Sequence, residues 1–186
     1  KNGRLLMPVA LHKLAREETW SSRGRLFCYY SDDEGKTWAS GEQVANPKDI
    51  LTQEPGVVEL KNGDVFMFIR TNQGVQYASY SSNQGRTWSE IEPTQIASPT
   101  SPAVIKRIPL TGDLLLVWNN NGKTQQRTPF NTAISKDEGK TWKYIQILED
   151  DPNGNFCYPA IHFVKEHVLL GYFNFVSENI VMSVAR

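Results

Sequence analysis

A pattern of eight residues recurs three times along the chain and constrains its fold more than any other feature. The copies are Ser31–Trp38, Ser81–Trp88 and Ser135–Trp142, each of the form S-x-[DN]-x-G-x-T-W. The first residues of successive copies lie 50 and 54 positions apart. A repeat of this length is the period of a four-stranded sheet with its turns. The sequence therefore predicts an all-β chain built as a run of β-propeller blades.

The residue types inside the repeated pattern are those of a tight turn. The side chain of an Asp or Asn accepts hydrogen bonds from backbone N–H groups a few residues on, glycine allows a positive φ, and the Trp packs back onto its own sheet. We expect these positions to be structural and to do no chemistry. They are Asp33, Gly35, Trp38, Asn83, Gly85, Trp88, Asp137, Gly139 and Trp142.

A strand is predicted directly before each box, at Arg25–Tyr30, Val75–Tyr80 and Phe130–Ile134, and a short outer strand after each, the first near Glu42–Ala45. The segments between the boxes contain the other strands of each blade. Lys61-Asn62-Gly63 separates two apolar runs, which is a strong hairpin signal, and similar hairpins are predicted in the later blades. The predicted division is a partial blade at 1–48, blades at 49–99 and 100–150, and a last blade at 151–186 that lacks its outer strand. The chain would then cover roughly the C-terminal three to four blades, and the missing N-terminal half of the propeller is an expected partner.

Charge and apolar patterning exclude some functions. The chain has 20 Lys and Arg and 20 Asp and Glu, so a general nucleic-acid binder, which depends on basic excess, is not expected. No apolar run approaches the roughly 18 residues of a transmembrane helix. Cys28 and Cys157 lie in apolar stretches without metal-ligand spacing, which predicts two ordinary buried thiols. No metal site is predicted.

Four polar residues are predicted to gather at the propeller mouth opposite the boxes. Glu54 and Arg70 lie eight residues on either side of Asn62, so they meet at one end of a hairpin. Arg127 begins a third strand and Tyr158 precedes a first strand, which places both at the same end. Structural alternatives stay open for all four. Glu54 and Arg127 could be solvated loop residues, Arg70 could form an ion pair with Glu54 alone, and Tyr158 could pack in the core. Two further residues there could hydrogen-bond a sugar, namely Asn119 and Asn120.

These residues resemble a known family. The three boxes are similar to the Asp-boxes, or BNR repeats, of the sialidase (neuraminidase) superfamily, and the chain looks most like its broad bacterial group of sialidase-like proteins. The hairpin from Glu54-Pro55-Gly56 to Arg70 is similar to the sialidase segment that contains a catalytic glutamate and an arginine. The resemblance covers essentially the whole chain and implies a six-bladed sialidase-like propeller.

The same resemblance implies a function. Arg70 and Arg127 match two members of an arginine triad that binds the sugar carboxylate, Tyr158 matches the nucleophile, and Glu54 matches the base that takes its proton. The expected activity is a retaining, cofactor-independent glycoside hydrolase that removes terminal sialic acid or a related acidic sugar from a glycan or glycoconjugate. The first triad arginine and an Asp acid/base would lie N-terminal to Lys1, so the chain alone would be an incomplete catalyst.

Two other functions stay open on the same scaffold. One is a non-catalytic carbohydrate-binding propeller, which predicts that Glu54 and Tyr158 lie more than about 6 Å apart, beyond hydrogen-bond reach. The other is a glycosidase or lyase that acts on another acidic sugar with a different base. Glycan substrates favour a secreted or periplasmic location, although the sequence contains no segment that shows it.

Overall fold

The computed structural model describes residues 3–15, 17–175 and 179–185, the last segment as backbone only. Every regular element of these residues is a β-strand, and the strands pair in antiparallel fashion. None of the described residues forms a helix that could cross a membrane.

The strands form four sheets in chain order. The first sheet has the order β1-β2-β3 and the second the order β4-β5-β6-β7. Their strands are β1 Leu5–Leu11, β2 Arg25–Ser31, β3 Ala39–Ser40, β4 Thr52–Glu59, β5 Val65–Thr71, β6 Val75–Ser81 and β7 Glu92–Ala97.

The third and fourth sheets follow the same plan. The third has the order β11-β10-β9-β8, and the fourth has the order β12-β13-β14. Their strands are β8 Val104–Arg107, β9 Leu114–Asn119, β10 Phe130–Ser135, β11 Lys143–Glu149, β12 Phe156–Val164, β13 His167–Asn174 and β14 Asn179–Ala185.

The chain divides into two compact units. Unit 1 contains Lys1–Asn72 and Tyr77–Thr94, and unit 2 contains Gln73–Gln76 and Gln95–Arg186. In unit 2 the core is built by inward-facing residues of β9, β10, β12 and β13, with Phe130, Phe156 and Tyr172 in mutual ring contact. The predicted division into blades at 1–48, 49–99, 100–150 and 151–186 stays a prediction.

The predicted strands before the boxes are confirmed, and each extends one residue further than predicted. The first outer strand is not where we predicted it, at Glu42–Ala45: the strand is β3, Ala39–Ser40. The backbone of 41–44 still follows β2, since Gly41 and Val44 donate to the carbonyls of Cys28 and Leu26. However, Glu42 donates to the Arg86 carbonyl instead, and this alternation between two partners breaks the regular ladder.

The boxes form the predicted turns. In the first copy the Ser31 hydroxyl accepts from the Gly35 N–H at 2.8 Å and donates to Asp33, whose carboxylate accepts from both the N–H and the hydroxyl of Thr37. The Trp38 indole donates to the Gly35 carbonyl. The second copy repeats this network with Asn83, Gly85 and Trp88, and the third with Asp137 and Gly139.

The third box departs from the others at its tryptophan. The Trp142 indole N–H is buried and has no hydrogen-bond partner among the described residues, whereas Trp38 and Trp88 each donate to a glycine carbonyl. The prediction of two ordinary buried thiols is also confirmed, because Cys28 and Cys157 are both free and buried. Burial raises the pKa of Cys28 to about 11, which keeps it a neutral thiol.

We expect the two aspartate boxes to lose their stabilising effect in acid. Hydrogen bonds from the Thr side chain and backbone lower the pKa of Asp33 and of Asp137 from 3.8 to about 2. A carboxyl with a lowered folded-state pKa stabilises the fold fully above its unfolded pKa, and this effect is lost as the pH falls through about 2.

The double variant Asp33→Asn, Asp137→Asn should therefore show less acid destabilisation between about pH 4 and pH 2 than wild type. Asn83 shows that an amide fits the box, since it accepts from the Thr87 N–H and donates to the Thr87 hydroxyl. Thermal unfolding from pH 2 to pH 6 measures the effect, with exposed Asp150→Asn as the control. If the melting temperature of the double variant falls between pH 4 and pH 2 as steeply as that of wild type, the expectation is contradicted.

Candidate active site

Glu54 and Arg70 form an ion pair at one end of the second sheet. In the register of β4 and β5, Gln53 lies opposite Arg70, which brings the neighbouring Glu54 within reach of the guanidinium. The Arg70 Nη1 donates to the Glu54 Oε2 at 2.7 Å, and the side chains are 12% and 40% exposed. The box of this sheet lies at its other end, where Ser81 pairs with Val65.

Arg70 has more hydrogen-bonding capacity than its partner uses. Its Nε is buried and has no partner among the described residues. Buried donors without a protein partner are rare, so this Nε is in a position to donate to a ligand or a water. Since a guanidinium binds a carboxylate through two parallel N–H groups, this arrangement can hold an anionic group beside Glu54.

A β-bulge turns Glu54 out of the regular strand. The register of β4 with β5 shifts between Gln53 and Gly56, so Glu54 and Pro55 together lie opposite one residue of β5. Glu54 has a φ of 40°, in the left-handed region that non-glycine residues rarely adopt. Gly56 fits here because a Cβ would come 2.1 Å from the Phe68 ring. Bulges of this kind redirect side chains next to active sites.

Tyr158 occupies the same kind of bulge in the fourth sheet. The register of β12 with β13 shifts between Cys157 and Ala160, which leaves Tyr158 and Pro159 as the bulged pair. Tyr158 has a φ of 53° and is 52% exposed. Tyr158 therefore does not pack into the core of the described residues, and that alternative is wrong.

The sequence contains a second repeat that marks these positions, and our sequence analysis missed it. In the second, third and fourth sheets, a motif X-Pro-[Gly/Ala]-[Val/Ile] lies near or just before the start of the first strand, where X is Glu54, Ser101 or Tyr158. The Ser101 side chain is buried and donates to the Asn119 Oδ1 at 2.6 Å. In the second and fourth sheets the residue before the proline lies in a bulge and presents a carboxylate (Glu54) or a phenol (Tyr158). In the third sheet the corresponding residue, Ser101, is small and buried.

The positive φ of Tyr158 predicts an unusual order of stability among substitutions. Asn tolerates the left-handed region and Val does not, so Tyr158→Asn should be more stable than Tyr158→Val by about 1 kcal/mol. Both variants remove the same ring contacts. At exposed His162 on the same strand, Val should be the more stable residue, because β-branched side chains favour strands. Denaturant unfolding measures the stability of the Asn and Val variants at both positions. If Asn and Val rank in the same order at both, the backbone at Tyr158 is not strained as proposed.

Arg127 lies beside Tyr158 in unit 2. Its guanidinium carbon is 5.8 Å from the centroid of the Tyr158 ring, and its Nη2 donates to the Thr100 carbonyl at 3.3 Å. The structure thus brings the four predicted residues together as two pairs, Glu54 with Arg70 in unit 1 and Arg127 with Tyr158 in unit 2. The convergence of the two pairs at one mouth stays a prediction.

Asn119 holds the backbone of this region. Its side chain is buried, its amide donates to the carbonyls of Arg127 and Phe156, and its oxygen accepts from Ser101. With every polar atom used inside the protein, Asn119 does not present the predicted sugar contact in this structure. It instead fixes the start of β12, next to Tyr158, against the loop that contains Arg127. Asn120 is half-buried, and its sugar contact stays a prediction.

A polar cleft of ≈590 Å³ adjoins Arg127. It is lined chiefly by side-chain amides, which can donate to and accept from hydroxyl groups at once. These amides were not predicted as site residues, because amides in loops follow no periodic pattern in the sequence. The lining residues are Gln125, Gln126, Arg127, Pro152, Asn153, Gly154 and Asn155.

Comparison with known proteins identifies the family of the chain. The sequence profile of the BNR repeat-like domain family matches residues 1–173. The chain is 28% identical over 134 residues to a sialidase of Micromonospora viridifaciens, a match that covers 64% of the chain and 19% of that protein. It is 26% identical over 174 residues to an anhydrosialidase of Macrobdella decora, covering 86% and 21%. The chain thus spans about a fifth of the length of the curated relatives it matches.

Solved structures show the same fold. An intramolecular trans-sialidase from Ruminococcus gnavus, determined with oseltamivir carboxylate, superposes with a TM-score of 0.68 at 26% identity. That match covers 91% of this chain and 36% of the other. The predicted fold class, an all-β chain of the sialidase-like β-propeller type, is confirmed. The chain belongs to the BNR repeat-like domain family, within the sialidase superfamily.

Proposed function

We propose that the chain is part of a retaining glycoside hydrolase that removes terminal sialic acid, or a related acidic sugar, from a glycan. The observation that supports this most is Arg70, whose side chain is 12% exposed and donates to Glu54 through one nitrogen, while its buried Nε has no partner among the described residues. A guanidinium with an unused N–H suits a sugar carboxylate better than a neutral hydroxyl, because the hydrogen bond is then charge-assisted. The sialidases among the relatives and the solved structures point to the same substrate class.

In this proposal the two arginines bind the sugar carboxylate. Arg70 offers its buried Nε, and half-buried Arg127 faces the amide-lined cleft, where the sugar hydroxyls would bind. Charge-assisted hydrogen bonds to a carboxylate are about twice as strong as neutral ones. The proposal therefore predicts strong discrimination between an acidic sugar and its neutral ester.

Tyr158 is the proposed nucleophile and Glu54 its base. The anomeric carbon of a sialic acid bears a carboxylate, which would repel an Asp or Glu nucleophile, whereas a neutral phenol avoids that repulsion. The Tyr158 oxygen forms a bond to the anomeric carbon, its proton passes to Glu54, and the glycosidic C–O bond breaks. Water then hydrolyses the enzyme-bound sugar with retention. This requires the Glu54 carboxylate to come within about 3 Å of the Tyr158 hydroxyl.

The leaving group needs a proton that neither Tyr158 nor Glu54 supplies. The family resemblance implies an Asp acid and a first triad arginine, and we propose that both lie N-terminal to Lys1. We therefore propose that catalysis belongs to a longer protein, and that residues 1–186 alone bind the sugar weakly and turn it over poorly.

A second candidate is a carbohydrate-binding propeller without catalysis. The amide-lined cleft beside Arg127 favours it, because such a surface binds hydroxyl groups whether or not chemistry follows. The two candidates differ in what happens to the ligand after it binds.

The test is turnover of 4-methylumbelliferyl sialoside by the full-length protein, with binding of free sialic acid measured in parallel by calorimetry. Under the proposal the substrate is hydrolysed and the released sugar first appears as the α-anomer in NMR spectra. Binding without turnover would favour the second candidate. Turnover of another acidic glycoside instead would mean that the substrate is a different acidic sugar, while the roles proposed for the residues would stay the same.

A further inference from the structure

An exposed tryptophan lies in the loop between β1 and β2. Trp20 is 64% exposed, although large aromatic side chains normally bury most of their surface. One face of its ring stacks on His12, with ring centroids 5.1 Å apart and planes 19° apart. The His12 ring is itself held by a 2.8 Å contact between its Nδ1 and the Ser21 carbonyl. The indole is therefore held in place while its other face stays open to solvent.

A cleft of ≈440 Å³ adjoins this stack, and its described lining contains two glutamates and two arginines. Both arginines are already paired, Arg25 with Glu17 and Arg23 with Asp49 outside the lining. The described lining residues therefore offer no excess positive charge to select an acidic ligand, in contrast to the surroundings of Arg70. The lining residues are Leu11, His12, Glu17, Glu18, Thr19, Ser21, Arg23 and Arg25.

The loop is fastened to the strand that contains Glu54. Gln53, the residue before Glu54, donates from its side chain to the Ser22 carbonyl at 2.7 Å. Thr52 and Gly24 exchange two more hydrogen bonds, at 2.7 and 2.8 Å. A Cβ on Gly24 would come 3.0 Å from the Thr52 carbonyl oxygen, so glycine allows this close approach. Trp20 precedes Ser22 by two residues, a span of at most about 7 Å.

We propose that the Trp20–His12 stack and its cleft bind a neutral pyranose, namely the sugar to which the acidic terminal sugar is attached. The apolar C–H face of a pyranose packs on an exposed indole, and the polar lining offers donors and acceptors to its hydroxyls. This inference rests on the proposed function, because it places the rest of the glycan next to Glu54. It adds a preference for oligosaccharides over small aryl glycosides.

Binding of lactose to the full-length protein tests the site without any chemistry. Saturation-transfer NMR should show contact between the galactose ring protons and wild-type protein. Trp20→Ala should weaken binding about tenfold, which corresponds to about 1.4 kcal/mol. Trp20→Phe should restore part of it. Tyr144→Ala removes another exposed aromatic side chain and is the matched control.

The activity assay supplies a second measure. Trp20→Ala should lower the ratio of kcat/KM for sialyllactose to that for 4-methylumbelliferyl sialoside about tenfold. Lactose binding that is equal in wild type and Trp20→Ala, or that Tyr144→Ala weakens as much, would overturn the inference. If Trp20-dependent lactose binding is found and no sialoside is hydrolysed, the sugar site stands and the proposed hydrolase fails.

Discussion

Tyr158→Phe should reduce kcat on sialosides by on the order of 10³-fold or more while the protein still binds sialic acid. Removing the hydroxyl removes the only atom of this residue that could bond to the anomeric carbon. The ring stays, and with it the packing against the Arg127 guanidinium. Single-turnover kinetics and calorimetry on the full-length protein separate the lost chemistry from the retained binding.

The structure offers a matched control for this variant. Tyr144 is an exposed tyrosine with a positive φ of 54°, and the Lys136 ammonium lies 5.5 Å from its ring centroid. Tyr144→Phe should leave kcat unchanged. Glu54→Gln, which removes the proposed base, should cost about 10²- to 10⁴-fold. If Tyr158→Phe retains kcat within about tenfold of wild type, Tyr158 is not the nucleophile.

Arg70→Met should lower kcat/KM for acidic glycosides by about 10²- to 10⁴-fold. Two charge-assisted hydrogen bonds to the substrate carboxylate, at about 1.5–3 kcal/mol each, would be lost, and every 1.4 kcal/mol corresponds to a factor of ten. Calorimetry with sialic acid and its methyl ester isolates the charge effect. Wild type should prefer the acid, and the variant should show a much smaller preference, since Arg127 is still present to bind the carboxylate.

A second arginine controls for the loss of an ion pair. Arg107 binds Glu138 through two nitrogens in unit 2, so Arg107→Met removes a comparable pair at a box turn and should spare the preference for the acid. Arg70→Lys keeps the charge without the fork and should fall between wild type and Arg70→Met. An undiminished preference for the acid in Arg70→Met would remove Arg70 from the carboxylate site.

The boxes predicted the fold class because their chemistry is local. Within eight residues, the serine, the Asp or Asn, the glycine and the threonine satisfy one another, so the turn forms whatever surrounds it. The Glu54–Arg70 pair was predictable for a related reason. A hairpin fixes which residues face each other, and counting outward from Asn62 brings the two together.

The features that the sequence did not reveal depend on contacts between residues far apart in the chain. The bulges at Glu54 and Tyr158 follow from register shifts that no alternation of residue types marks, although the recurring X-Pro pair is a usable signal. The role of Asn119 depends on carbonyl groups 8 and 37 positions away in sequence. The amide-lined cleft and the Trp20–His12 stack are formed by loops, whose conformation simple periodicity does not predict.

The separation of the two ends of the second sheet has an evolutionary consequence. The box fixes the fold at one end, and the bulged X-Pro position presents a side chain at the other. Mutations at the bulge can therefore accumulate without disturbing the turn that the sheet needs to fold. A lineage of such proteins can diversify its chemistry by exchanging single residues before a proline, and distant descendants can share every box while they act on different molecules.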